Sequence, residues 1–112
     1  MRYKGYLSDF ALDEYDAEIK EAVLTEERVA IDWVEDGENY HLLAHSKDGG
    51  RTYDGTYGVS ADGTPRLDPN LRVRLTRLLV FDDTPRLVAH WLADGGTVDV
   101  QSLFELADGA GS

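Results

Sequence analysis

Residues 28–46 read RVAIDWVEDGENYHLLAHS, and this stretch decides the fold. Its centre is Asp36-Gly37, a dipeptide that favours a two-residue hairpin loop because both loop positions need positive φ. With this loop Trp33 faces Tyr40, and one side of the hairpin is entirely apolar or aromatic. The pairs that continue on this side are Ile31–Leu42 and Val29–Ala44. Apolar residues that alternate with polar ones predict two antiparallel strands with one buried face.

Asp-Gly pairs at residues 48–49 and 94–95 extend this pattern to further hairpins. If each is a two-residue loop, the same residues of the middle strand face inward in both of its pairings. The predicted pairs are Ala44–Tyr53, Leu42–Gly55, Tyr40–Tyr57, Trp91–Val98, Ala89–Val100 and Leu87–Ser102.

Residues 71–81 allow two interpretations that differ in where Arg77 points. In a regular strand Arg77 faces inward, and a three-residue loop at residues 83–85 sets it beside Trp91. An inward guanidinium needs an acid such as Glu21, a stacked Trp91 or an anionic ligand, because a buried unpaired charge is too costly. A β-bulge near Thr76 instead turns Arg77 out to solvent.

Residues 10–27 fit either a helix or a strand. Apolar residues at helical spacing form one stripe, with Ser8 or Asp9 available as the N-cap. The stripe consists of Leu12, Tyr15, Ile19 and Val23. A strand over residues 17–24, with Ile19 and Val23 inward, continues the hairpin series, so the strand is favoured and a short helix within residues 10–24 stays open.

The whole chain therefore predicts an all-β fold: an antiparallel up-and-down meander of seven to eight strands that forms a closed or nearly closed barrel. Closure removes the exposed edges that so many sequential strands leave. We expect one barrel domain over residues 1–106 and a flexible C-terminal tail over residues 107–112.

Strand number and meander order resemble the calycin-type barrels, the architecture of lipocalins and avidin. The first strand carries Tyr3-Lys4-Gly5-Tyr6 rather than the Gly-x-Trp signature. The resemblance implies ligand binding inside the barrel, although architecture alone does not carry function.

Composition excludes several classes of function. The 112 residues include 22 Asp and Glu, 11 Lys and Arg and no Cys, so the net charge is -11. Disulfides, Cys-ligated zinc and thiol catalysis are excluded, and nucleic acid and anionic membranes are disfavoured as partners. No apolar run approaches the roughly 20 residues of a membrane span. We expect a soluble cytoplasmic protein whose acidic surface can attract a basic partner.

The sequence offers no convergent catalytic set. His41 and His45 lie on one strand face about 13 Å apart, too far for one metal ion, and both are predicted to face outward. We expect His41 to form a solvated cross-strand pair with Asp32, next to Thr56. None of the serines lies in a nucleophile motif. The expectation is therefore a protein that leans away from catalysis and has no metal and no cofactor.

Inward aromatic residues are the candidate ligand site, because aromatic surface with a few polar groups is typical of small-ligand pockets. The candidate residues are Trp33, Tyr40, Tyr53, Tyr57 and Trp91, with Arg77 and Glu21. A packed core gives the same residues, so both interpretations stay open.

Outward apolar residues on the later strands form a second candidate surface. These are Leu78, Val80, Val88 and Leu92, and such a patch is typical of a partner or homodimer interface. We expect a non-catalytic binding or interaction module; the alternative is a carrier of a small molecule, for which an inward Arg77 favours an anionic ligand.

Overall fold

The computed structural model describes residues 2–9, 14–35, 37–60, 62, 64, 66–78, 85–92 and 98–108. These residues form eight β-strands. They are β1 (Arg2–Asp9), β2 (Glu14–Leu24), β3 (Arg28–Glu35), β4 (Glu38–His45), β5 (Thr52–Ser60), β6 (Asp68–Arg77), β7 (Arg86–Leu92) and β8 (Val98–Asp108).

The strands form a closed barrel in which each is antiparallel to its neighbours in the chain. β8 closes the barrel on β1, where Leu7 pairs with Phe104. The predicted all-β meander barrel is confirmed. The helix alternative is wrong for residues 14–24, which form β2, and residues 10–13 lie outside the described part of the chain. β8 extends to Asp108, two residues beyond the predicted boundary at 106, and the rest of the predicted tail is not among the described residues.

The β3–β4 hairpin has the register that Asp36-Gly37 predicts. Trp33 pairs with Tyr40, and Glu35 with Glu38, which leaves two residues for the loop. Gly37 has φ of 78°, the positive value that this turn needs.

The predicted β4–β5 register is wrong by two residues. The observed pairs are Ala44–Gly55, Leu42–Tyr57 and Tyr40–Val59. The loop is wider than two residues because the Asp48 carboxylate organises it: Oδ1 accepts hydrogen bonds from the backbone N–H groups of Arg51 and Thr52. The Ser46 hydroxyl also donates to Asp48 Oδ1, at 2.8 Å. An even shift keeps every side chain on its predicted face.

The β7–β8 register is also shifted by two residues from the prediction. The observed pairs are Trp91–Val100, Ala89–Ser102 and Leu87–Phe104, with a register shift between Trp91 and Leu92. The Asp94-Gly95 turn itself lies outside the described residues. Phe104 therefore enters the barrel beside Leu87, on the predicted inward face.

Arg77 is not beside Trp91 as predicted. It pairs with Leu87, while Trp91 pairs with Val73, because the connection from β6 to β7 is longer than the three residues expected. No bulge occurs near Thr76, which pairs with Val88 in regular register. Arg77 keeps the inward register but lies at the end of β6, where it is exposed.

A β-bulge in β2 corrects the prediction that Glu21 and Val23 face inward. Ile19 pairs with Trp33, but the register shifts before Glu21, which pairs with Asp32. One extra residue moves the following side chains to the other face. Ala22 and Leu24 are therefore buried in the core, and Glu21 is exposed on the outer wall.

Candidate functional site

Aromatic rings meet at the barrel end that the β3–β4 hairpin closes. Trp33 and Tyr40, paired across this hairpin, are stacked with ring centroids 5.3 Å apart. Tyr57 and Trp91 meet edge to face at 4.8 Å. Phe104 contacts Trp33 with a centroid distance of 5.3 Å, also edge to face. We call these five residues the aromatic end.

The aromatic end is closed toward the barrel core and partly open to solvent. Phe104 and Trp33 are buried, whereas Tyr40, Tyr57 and Trp91 are only half-buried although they pack against the core. Edge-to-face and stacked aromatic pairs are each worth about 0.5–1.5 kcal/mol beyond the area they bury. The three half-buried rings therefore form an apolar surface that water reaches.

The two indole N–H groups of the aromatic end differ in their hydrogen bonding. Trp91 Nε1 donates to the Ser102 hydroxyl at 2.8 Å. Trp33 Nε1 is buried and has no acceptor among the described residues. A buried donor without an acceptor costs about 1–3 kcal/mol, so any acceptor that reaches Trp33 Nε1 gains that amount.

Tyr53 and Arg77 lie at the opposite end of the barrel. Arg77 pairs with Leu87, four residues before Trp91 on β7, which corresponds to about 13 Å along the strand. The Tyr53 hydroxyl donates to the Thr25 carbonyl oxygen at 2.7 Å. Burial raises the pKa of the Tyr53 hydroxyl, and the positive charge of Arg77 opposes this shift. The predicted ligand set is therefore divided between two ends.

The other predicted site residues that the structure describes lie on the outer wall of the barrel. Glu21 lies beside Asp32 there and does not reach the aromatic end. Leu78 is 37% exposed, and Val88 and Leu92 are half-buried. Val80 lies outside the described residues.

His41 forms a hydrogen-bonded chain that the sequence did not reveal. Its Nδ1 lies 2.7 Å from Asp32 Oδ1, and its Nε2 lies 3.4 Å from Ser60 Oγ. The predicted pairing with Asp32 is confirmed, but the predicted solvation is wrong: His41 faces outward and is nevertheless only 7% exposed. Its other neighbour is Gly58 rather than Thr56, because of the shifted register.

Gly58 explains why an outward histidine is buried. A Cβ at this position would collide with the carbonyl oxygen of Arg66, so the chain at Arg66 and Leu67 crosses directly over Gly58, beside His41. A glycine inside a strand often marks such a close backbone approach, and this was the signal available in the sequence.

An open groove of about 480 Å³ lies next to this crossing. Its walls are Gly58, Val59, Arg66, Leu67, Asp68, Pro69 and Leu71. It lies where the pairing of β5 with β6 shifts in register: Thr56 pairs with Arg72 and Tyr57 pairs with Asp68, so residues 69–71 are extra on the β6 side.

The described residues contain no group of three or more His, Cys, Asp or Glu side chains that could hold a metal ion. They also contain no helix of the length and apolarity that crossing a bilayer requires.

Comparison with known proteins identifies no relative. No family model matches the chain, and no curated protein or solved structure matches it significantly. Its function is therefore inferred from its own residues.

Proposed function

We propose that the protein is a binding module whose aromatic end binds a small, flat, largely apolar ligand. One observation carries the proposal: the half-buried rings of Tyr40 and Trp91 contact Trp33, whose buried Nε1 has no acceptor among the described residues. Apolar surface with a few polar groups at the mouth of a β-barrel is a common small-ligand site. The sequence predicts a small-molecule carrier as the alternative function, with the barrel interior as the ligand site. We restrict that ligand site to the aromatic end.

The ring geometry favours a ligand that carries a hydrogen-bond acceptor. A planar ligand can stack on Tyr40 or meet Trp91 edge-on, as the protein's own rings do. Since Trp33 Nε1 is buried, an acceptor reaches it when one of the half-buried rings moves aside. The free energy of satisfying this donor then contributes to binding.

Charge favours a neutral or cationic ligand over an anionic one. Arg77, the basis for an anionic ligand, lies at the end away from Trp91. The net charge of -11 repels anions from the protein as a whole, and aromatic faces attract cations.

The test is titration with the neutral fluorescent probe N-phenyl-1-naphthylamine. We expect saturable binding, and we expect Tyr40→Ala and Trp91→Ala each to weaken it about tenfold, the equivalent of one aromatic contact of about 1.4 kcal/mol. Leu78→Ala, on the outer wall, is the matched control and should bind as the wild type does. Binding that is insensitive to both aromatic substitutions would contradict the proposal, as would tighter binding of an anionic naphthalene sulfonate.

A protein-docking role is the second candidate, and Leu78 is the observation that favours it. This side chain is 37% exposed on the outer wall, where Val88 lies beside Leu103. A homodimer or a basic protein partner in the cytoplasm fits this surface together with the acidic charge. Native mass measurement distinguishes a dimer, which Leu78→Ser should dissociate, from a monomer.

A further inference from the structure

Asp32, His41 and Ser60 have the hydrogen-bond order of a nucleophilic catalytic triad. An ionised carboxylate only accepts hydrogen bonds, so the contact with Asp32 places the proton of a neutral imidazole on Nδ1. Nε2 then carries a lone pair and accepts a hydrogen bond from the Ser60 hydroxyl. In this arrangement a histidine can take the proton of a serine that attacks a carbonyl.

We propose that Ser60 is an activated nucleophile that accepts acyl groups from small esters, with His41 as general base and Asp32 as the positioning residue. The proposal is independent of ligand binding at the aromatic end, because it uses the outer wall of the barrel.

The three side chains are held by adjacent strands rather than by loops. Asp32 on β3 pairs directly with His41 on β4, and Ser60 on β5 lies two residues beyond Gly58, the β5 partner of His41. Rigid strands keep the nucleophile and the base in a fixed relation, which is the main requirement of such a site.

Burial strengthens the interaction between the base and the nucleophile. The His41 side chain is 8% exposed and Ser60 is 5% exposed, whereas the Asp32 side chain is 47% exposed. Little water therefore competes for the contact between His41 and Ser60, and a hydrogen bond in a low-dielectric site is electrostatically stronger.

We assign the acyl group to the groove beside the crossing segment. Gly58 and Val59, the two residues before Ser60, line this groove, and Ser60 itself does not. Arg66 also lines it. The Arg66 guanidinium lies 3.4 Å from Asp62 Oδ2, and we assign it to the negative charge that develops on the carbonyl oxygen.

The chemistry balances with water as the co-reactant. The Ser60 proton moves to His41 Nε2 while Oγ bonds to the ester carbonyl carbon and an electron pair moves to the carbonyl oxygen. When this electron pair re-forms the carbonyl double bond, the bond between the carbonyl carbon and the alcohol oxygen breaks. The alcohol oxygen takes the proton from His41 Nε2. Water then attacks the acyl-serine with His41 again as base, which releases the carboxylic acid and restores Ser60.

A small alkyl fluorophosphonate tests the proposal, because Ser60 Oγ displaces fluoride from its phosphorus and forms a stable phosphonate ester, while the serine proton passes to His41. We expect one adduct per chain, mapped to Ser60 by peptide mass spectrometry, and none in Ser60→Ala. We expect His41→Gln to slow labelling at least about 100-fold, the contribution of a general base. His45→Gln, an exposed histidine on the same strand, is the matched control and should label at the wild-type rate.

A second measurement keeps the test decisive if His41→Gln fails to fold. Labelling of the wild-type chain should be lost in urea, because it needs the folded arrangement. Absence of an adduct at Ser60 in the folded protein would overturn the proposal and leave the chain of hydrogen bonds a structural link. Equal labelling of several serines, or labelling that survives in urea, would overturn it as well.

Discussion

Asp48 shows at the scale of one residue how a side chain can fix a loop. Its carboxylate accepts hydrogen bonds from the backbone N–H and hydroxyl of Thr52 and from the hydroxyl of Ser46. These bonds, with the Thr52 backbone bond the largest, hold the pKa of Asp48 well below its ordinary value of 3.8. The folded state therefore favours the ionised form, and the resulting stability is present above about pH 4 and is lost as the pH falls through the lowered pKa.

Asp48→Asn is expected to lower the free energy of unfolding at pH 7 and to flatten its decline between pH 5 and pH 2. Asparagine keeps one acceptor oxygen but has no charge to lose, so the two curves should converge in acid. Urea denaturation at a series of pH values measures this. Glu27→Gln, at an exposed acid, is the control. If the free energy of unfolding of Asp48→Asn has the same pH dependence as that of the wild type, Asp48 is not the group that causes the loss of stability in acid.

The strands and hairpins show which parts of the fold the sequence could predict. In the β3–β4 hairpin, Asp36-Gly37 specifies both the turn and the register, and both are correct. After β4 the same type of signal failed, because Asp48 closes a wider loop through side-chain hydrogen bonds. The predicted register was wrong by an even number of residues, so each side chain still lies on its predicted face.

The bulge in β2 was not predictable from alternation alone. A single extra residue moves every following side chain to the opposite face of the sheet. The sequence around Glu21 is compatible with either arrangement, Glu21 inward or Glu21 outward. The bulge buries Ala22 and Leu24 together and leaves Glu21 in solvent. Packing against β3, where Ala22 pairs with Ile31, selects the arrangement in which Ala22 faces inward and Glu21 faces outward.

Substitutions of Glu21 and Ala22, which lie on opposite faces of β2 after the bulge, should differ widely in their effect on the free energy of unfolding. Ala22→Glu is expected to destabilise the protein by about 3 kcal/mol or more, because it buries a charge in the core. Glu21→Ala is the matched control, and an exposed site should change stability by at most about 0.5 kcal/mol. Chemical denaturation compares the two variants. The reverse order of costs would mean that β2 has no bulge.

At the scale of the whole molecule, closure of the barrel decides which candidate residues meet. The sequence correctly predicted an inward direction for four residues of the aromatic end, Trp33, Tyr40, Tyr57 and Trp91, because even register shifts preserve that direction. It placed Tyr53 and Arg77 with them, whereas the shift between β6 and β7 separates Arg77 from Trp91. The hydrogen-bonded chain through His41 was missed because its burial depends on a segment that crosses over Gly58, and a glycine in a strand signals a close approach without specifying which segment approaches.

The most direct test of the proposed function uses the two indole N–H signals of the chain in a ¹⁵N–¹H correlation spectrum. The chain has two tryptophans, and both lie in the aromatic end. On titration with N-phenyl-1-naphthylamine we expect both indole signals to shift together with those of neighbouring residues, and Leu78 on the outer wall to stay unchanged. Saturable probe binding that moves the Leu78 signal and leaves both indole signals in place would contradict binding at the aromatic end.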